Sequence, residues 1–170
     1  MSGRRRRSYE TGHRPKFLAV VDDTPECDRA VHFAARRAAR TGASLVLLGV
    51  TEPPDGFEWI GVAEAMLAET EAETRAQVAA AAAAARAAAG IEAEQVHRVG
   101  ERAEEIARLI EEDEDVSFLV LGACAGKEGP GPLVAGVMGR SSGGSAGSFA
   151  VPVVVVPGDL SDAEIAALAG

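Results

Sequence analysis

Two stretches of this sequence carry residues able to do chemistry. The first is Val21-Asp22-Asp23-Thr24-Pro25, where two carboxylates follow an apolar run. Asp22 suits a Mg²⁺ ion or a ribose hydroxyl. Equally, it accepts N–H groups of its own turn, while Asp23 reads as an acid at a helix start. The second stretch runs from Val116 to Ser142. A short apolar run opens into Gly122, Gly126, Gly129, Gly131, Gly136 and Gly139, with Arg140 and Ser141 behind them. Glycine lets backbone N–H groups approach an anion with no side chain in the way. Such a loop is either a ligand cradle or a plain surface turn, and the buried strand before it favours the cradle. Within the loop, Cys124 is either a reactive thiol or a small packed one, the second reading being preferred. Lys127 is either a phosphate contact or a solvated cation.

Several sites are excluded by spacing. A phosphate loop of the GxxxxGK[ST] type needs four residues between its glycines and a hydroxyl after the lysine. Here three residues separate Gly122 from Gly126, and Glu128 follows Lys127. No GxGxxG follows the first apolar run, and no GxSxG is present. Cys27 and Cys124 are far apart, and His13, His32 and His97 stand singly, so nothing has the spacing of a zinc or iron site.

The elements that must position these residues are legible from periodicity. Lys16–Val21, Ser44–Val50 and Val116–Leu121 are nearly continuous apolar runs, as in strands buried on both faces. Ile91–Val99 alternates apolar and polar residues, as a half-exposed edge strand does. Val151–Val156 is a fifth strand, and Pro152 pushes it toward an edge or a strand start. Between the strands lie helices. One has Thr24 as its expected N-cap, Pro25 in its first turn and Gly42 as its stop. A long alanine-rich helix covers about Gly61 to Ala89, packed closely on the sheet, after a loop with Phe57 and Trp59. A short helix ends near Glu112. A glycine-interrupted one is expected between Leu133 and about Phe149. Ser161-Asp-Ala-Glu164 opens a terminal helix with a capping box.

Strand–helix alternation predicts an α/β fold, a single five-stranded parallel sheet with helices on both faces. The expected strand order is 3-2-1-4-5. In that order the chain reverses direction between strands 1 and 4, and ligands of open α/β sheets bind at the carboxyl ends of such a pair. Asp22 closes strand 1 and Gly122 closes strand 4, so both unusual stretches meet there.

Composition bounds the rest. The chain has 170 residues, 47% apolar but only 4% aromatic, so its core is aliphatic. Residues 1–16 carry six basic side chains against Glu10, a net +5, which leaves −14 for the remainder of a chain whose total is −9. An acidic body disfavours nucleic acid as a partner. The Arg4–Arg7 run, in a segment 1–15, is expected to be a disordered basic tail. It lacks the apolar stretch of a signal sequence, and no run is long enough to span a membrane, so a cytoplasmic protein is expected.

The residues quoted also resemble a known family. Val-Val-Asp22 followed by Asp-Thr-Pro-Glu, a second strand ending in Leu-Gly-Val50, and Leu-Val-Leu-Gly122 before a glycine loop are similar to universal stress proteins over about residues 16 to 157. That family carries glycine, two residues, glycine, nine residues, glycine, then Ser or Thr. Gly126, Gly129 and Gly139 keep the spacing, but Arg140 stands where the hydroxyl belongs and Ser141 comes one place late. The family's first glycine directly follows strand 4, which here is Gly122. The run Gly126 to Leu133 resembles the loop variant of alphaproteobacterial members.

The resemblance implies an adenine nucleotide alpha hydrolase-like domain over 16–158, then a short C-terminal helix in 159–170. It implies a homodimer through the last strand, Val151–Val156, and ATP or AMP, with Mg²⁺, in some members. Asp22 then matches the acid that holds the nucleotide and Val50 the residue near adenine. Gly126, Gly129 and Gly139 match the phosphate cradle, with Gly122 and Ser141 beside it. A stress-response regulator follows, or else a dimeric adaptor of the same fold that binds no nucleotide. An enzyme is disfavoured, since residues 21–25 contain no catalytic loop of the SGG type.

Overall fold

The structure is a computed structural model that describes residues 5–54, 60–141 and 149–170. Its elements alternate as β1 (Lys16–Val21), α1 (Glu26–Thr41), β2 (Ser44–Thr51), α2 (Ile60–Ala89), β3 (Ala93–Val99), α3 (Arg102–Glu112), β4 (Val116–Ala123), α4 (Pro132–Ser141), β5 (Val153–Pro157) and α5 (Asp162–Ala169). The five strands form one parallel sheet in the order β3-β2-β1-β4-β5, as the alternation and the reversal argument predict.

The central strands read as unbroken apolar runs because helices cover both of their faces. Successive side chains point to opposite faces, so the core divides in two. Phe17, Ala19 and Val21 of β1, with Leu45 and Leu47 of β2, pack against Ala30, Val31, Ala34 and Ala38 of α1 and Val78 and Ala85 of α2. Leu18 and Val20, with Val46, Leu48 and Val50, pack against Ile106 and Ile110 of α3 and Leu133, Val134 and Val137 of α4. A bulge at Ser117 keeps β4 in step. Lys16 pairs with Val116, but Phe17 pairs with Phe118. Leu119, Leu121 and Ala123 therefore join Leu18 and Val20 on the α3/α4 side.

The alanine run of α2 does bring helix and sheet together. A methyl group at Gly49 would lie 2.6 Å from Val78 Cγ2. β3 is an edge strand, paired among the described residues with β2, and its side chains are exposed or half-buried. Ser161 and Glu164 form the expected capping box on α5. Gly42 ends α1 with φ +73, in the left-handed region, and its N–H donates to the Ala38 carbonyl.

Element ends differ in detail from the sequence reading. Thr24 does not cap α1. The cap position is Pro25, whose ring has no acceptor to offer, and the Thr24 hydroxyl one residue earlier donates to Asp22. Within the segment 1–15, described residues make contacts with the body of the domain. The Arg6 guanidinium donates to the Ile110 and Asp113 carbonyls at the end of α3, and the Arg7 N–H donates to Glu114 O. His13 Nδ1 lies 2.7 Å from Asp115 Oδ1, and Arg14 donates to Gly42 O. A carboxylate-rich α3–β4 turn and a helix end with unsatisfied carbonyls give arginines a place to bind. Finally, α4 starts at Pro132 rather than Leu133. Its expected continuation toward Phe149, like Arg4, Phe57 and Trp59, falls largely on residues outside those described.

Candidate functional site at the carboxyl ends of β1 and β4

Because β1 and β4 pair directly, the turn leaving β1 and the loop leaving β4 meet above the same rim of the sheet. Asp22 orders the first turn. Its Oδ1 accepts the Thr24 N–H at 3.0 Å and the Thr24 hydroxyl at 2.5 Å. This is a local side-chain-to-backbone turn that sets where α1 starts. The other oxygen, Oδ2, is buried and has no hydrogen-bond partner among the described residues. A carboxylate oxygen removed from water without a donor is costly and invites one.

β4 ends beside α1. A methyl group at Gly122 would sit 2.5 Å from the Glu26 carbonyl oxygen and 2.8 Å from its carbon. Gly122 thus admits the first turn of α1 to the strand, and its space is filled by that helix. Beyond it, the loop folds back on itself, the Cys124 N–H donating to Pro130 O. Gly129 and Gly131 have φ of +101 and +90, conformations that a side chain would strain. Gly126 and Gly129 are exposed. Gly139 is exposed too, but it lies inside α4, so the three spaced glycines do not form one continuous loop. The Ser141 side chain lies outside the described part of the chain. Val50 is buried in the α3/α4 cluster at the end of β2, beside β1.

The loop residues considered for chemistry divide differently from expectation. Cys124, expected to be packed, is exposed. Cys27, not singled out, is buried in the first turn of α1, and burial pushes its thiol up to about 11. Lys127 is exposed. Among the described residues, no group of three or more His, Cys, Asp and Glu side chains is gathered to hold a metal ion.

Two features escaped the sequence. The first is Glu26, only 8% exposed. Three glycines from separate segments give it room. Methyl groups at Gly122, Gly158 and Gly131 would come within 2.5 Å of its carbonyl, 2.7 Å of its Cβ and 3.1 Å of its Oε1. The co-occurrence of glycine at the end of β4, in the loop and just after β5 is the sequence signal, readable only once the strands are placed side by side. The second is a polar chain at the end of β2. Thr51 donates to Thr74 Oγ1, Thr74 donates to the Thr70 carbonyl, and Thr51 Oγ1 lies 2.8 Å from His97 Nε2. With the Thr51 proton committed to Thr74, His97 is the donor to Thr51. Burial, chiefly, holds the His97 pKa below its ordinary value.

Comparison with known proteins bears on the fold and the family. The family model described as the universal stress protein family matches residues 13–157. No curated protein matches in sequence. Among solved structures, the universal stress protein UspA from Lactobacillus plantarum is similar with a TM-score of 0.68 at 16% identity, covering 84% of this chain and 97% of that one. A universal stress protein in complex with cAMP is similar at a TM-score of 0.57 and 19% identity, covering 84% and 96%. One from Archaeoglobus fulgidus in complex with dAMP has a TM-score of 0.55 at 19% identity, again covering 84% and 96%. The chain belongs to the universal stress protein family.

Proposed function

We propose that this protein is a cytoplasmic regulator of the stress response that binds an adenine nucleotide in the crevice between β1 and β4. The observation that carries the reading is Asp22. One of its oxygens is spent on the Thr24 turn, and the other is buried without a donor at the carboxyl end of β1. A ribose hydroxyl supplies such a donor. The loop residues Gly126 to Gly131 stand across the rim to meet a phosphate, with Val50 near the base and Gly139 and Ser141 behind. Similar structures with cAMP and dAMP support the choice of ligand. Isothermal titration with AMP is expected to show binding that Asp22→Ala weakens about ten- to a hundredfold, the range of a hydrogen bond to a charged group. Equal binding by Asp22→Ala, or no heat at millimolar AMP, would remove the reading.

One observation favours the second reading, a dimeric adaptor that binds no nucleotide. The space at Gly122 is taken up by α1, and a carboxylate, Glu26, lies under the loop. In both readings the protein is a homodimer through the outer edge of β5, where Val155 is 40% exposed and the strand pairs, among the described residues, with β4. Light scattering should give twice the monomer mass, and Val155→Lys should give the monomer. Unchanged mass in that variant would place the dimer elsewhere.

A further inference from the structure

The amino ends of β4 and β5 form a rim of the sheet away from the crevice. From Ser117 to Gly122, β4 rises roughly 16 Å. At this rim lies an open cleft of about 400 Å³, the size of a small-molecule site. Arg5, Arg6, Arg7 and Ser8 line it beside Ser117 and Pro152. Glu10 is the one acid among the described lining residues, so three guanidinium charges against one carboxylate leave +2. The chain as a whole carries −9. Glu10 bridges two of the arginines, with Oε1 3.0 Å from Arg5 and Oε2 2.8 Å from Arg7. Arg7 also reaches Glu114 at 3.5 Å, and Arg6 donates to the carbonyls at the end of α3. The Arg5 side chain is 86% exposed, and ion pairs in water are weak, so Glu10 does not close the cleft to a stronger anion. Ser8 differs from these residues. It is only 4% exposed, and its Oγ is buried with no hydrogen-bond partner among the described residues. A hydroxyl in that state is costly and calls for a partner. The arginines beside it can only donate, so an anion is the group that fits.

We propose that this cleft binds a phosphate-bearing small molecule, at a site separate from the β1/β4 crevice. Guanidinium groups and a hydroxyl offer donors to several oxygens at once. A phosphate uses them all, whereas a single guanidinium fork satisfies a carboxylate. Arg5, Arg7 and Ser8 hold the phosphate, and Arg6 anchors the segment to α3. Tyr9, 79% exposed, and Pro152 offer surface to the organic part of the ligand. The acidic body of the chain disfavours an anionic membrane as the source of the phosphate.

Amide NMR of the full chain, titrated with phenyl phosphate, tests this. The ligand is expected to shift the amides of Arg7 to Glu10 and of Ser117, and to leave those of Gly126, Gly129 and Gly131 in place. Benzoate, the same ring on a carboxylate, is expected to bind at least about tenfold more weakly. Arg5→Gln should weaken phenyl phosphate about tenfold, since it removes a donor to a charged group. Ser8→Ala should weaken it about fivefold without lowering the thermal midpoint, because the hydroxyl it removes has no partner among the described residues. Arg14→Gln, in the same segment but outside the lining, should change binding less than about twofold, as should Asp22→Ala. Shifts confined to Gly126–Gly131 would put the phosphate in the crevice and overturn the proposal. Benzoate binding as tightly, or affinity unchanged in both Arg5→Gln and Ser8→Ala, also overturns it. Vesicles of phosphatidylcholine and phosphatidic acid check the lipid source. Protein that sediments with them while phenyl phosphate shifts no amide overturns the small-molecule assignment.

Discussion

Gly122→Ala is expected to lower stability by about 3 kcal/mol or more, from the addition of a single methyl group. The reason is what the methyl would meet. Its position lies 2.5 Å from the Glu26 carbonyl oxygen, 2.8 Å from the carbonyl carbon and 3.2 Å from the Cys27 nitrogen. All three are backbone atoms at the start of a helix, so no rotamer change relieves the contact. Either α1 lifts from β4 or the end of β4 bends away. Lifting α1 would also disturb Ala30, Ala34 and Ala38, which are fully buried beneath it. Gly136→Ala is the matched comparison. Gly136 lies in α4 with nothing within 4 Å of the added carbon, and there alanine should stabilise by about 0.5–1 kcal/mol through helix propensity. Urea unfolding midpoints of the two variants should move in opposite directions. An unmoved midpoint for Gly122→Ala would mean that α1 does not rest on β4 as described.

The same residue shows how far the sequence could be read. The glycine after Leu121 was legible as the end of a buried strand and as a candidate for a ligand loop. Its close contact with α1 was not, because that contact joins residues 26 and 122, and no periodicity reports which glycine faces which helix. Strand order was legible because the alternation of strands and helices restricts the connections, and apolar runs distinguish β1, β2 and β4 from the alternating edge strand β3. The crevice followed from that order. Thr24 suits a cap by residue type, but α1 starts one residue later with Pro25 at the cap position, and residue type does not fix a helix boundary to one residue. The contacts of Arg6 were not legible, because composition says nothing of where the carbonyls at the end of α3 stand. Glu26 looked like an ordinary acid in a helix first turn. Its burial depends on three glycines drawn together from β4, the loop and the segment after β5.

Leu121→Ala, one residue earlier on the same strand, is expected to cost about 3–4 kcal/mol by the opposite route, loss of volume. Leu121 is fully buried and points to the other face of β4, into the cluster with Val20, Val50, Leu133 and Val134. Its strand lies between β1 and β5, with Leu121 paired to Val155, so the backbone cannot close in on the space left behind. Under those conditions a deleted leucine leaves a residual cavity in addition to the lost transfer free energy. For a domain whose whole stability is about 5–15 kcal/mol, such a loss removes a large share. Val155→Ala on the edge strand gives the scale, since its side chain is already 40% exposed and the change should stay near 1 kcal/mol in the monomer. Leu121 lies within the α3/α4 cluster, not on the turn after β1 or the loop after β4. Below its lowered midpoint, Leu121→Ala should therefore bind AMP within about twofold of the natural protein, whereas Asp22→Ala should bind weakly even where it is folded, its own stability lowered by about 1–3 kcal/mol through loss of the Thr24 turn. A Leu121→Ala protein that keeps its urea midpoint would show that the α3/α4 side of the sheet is not packed on β4.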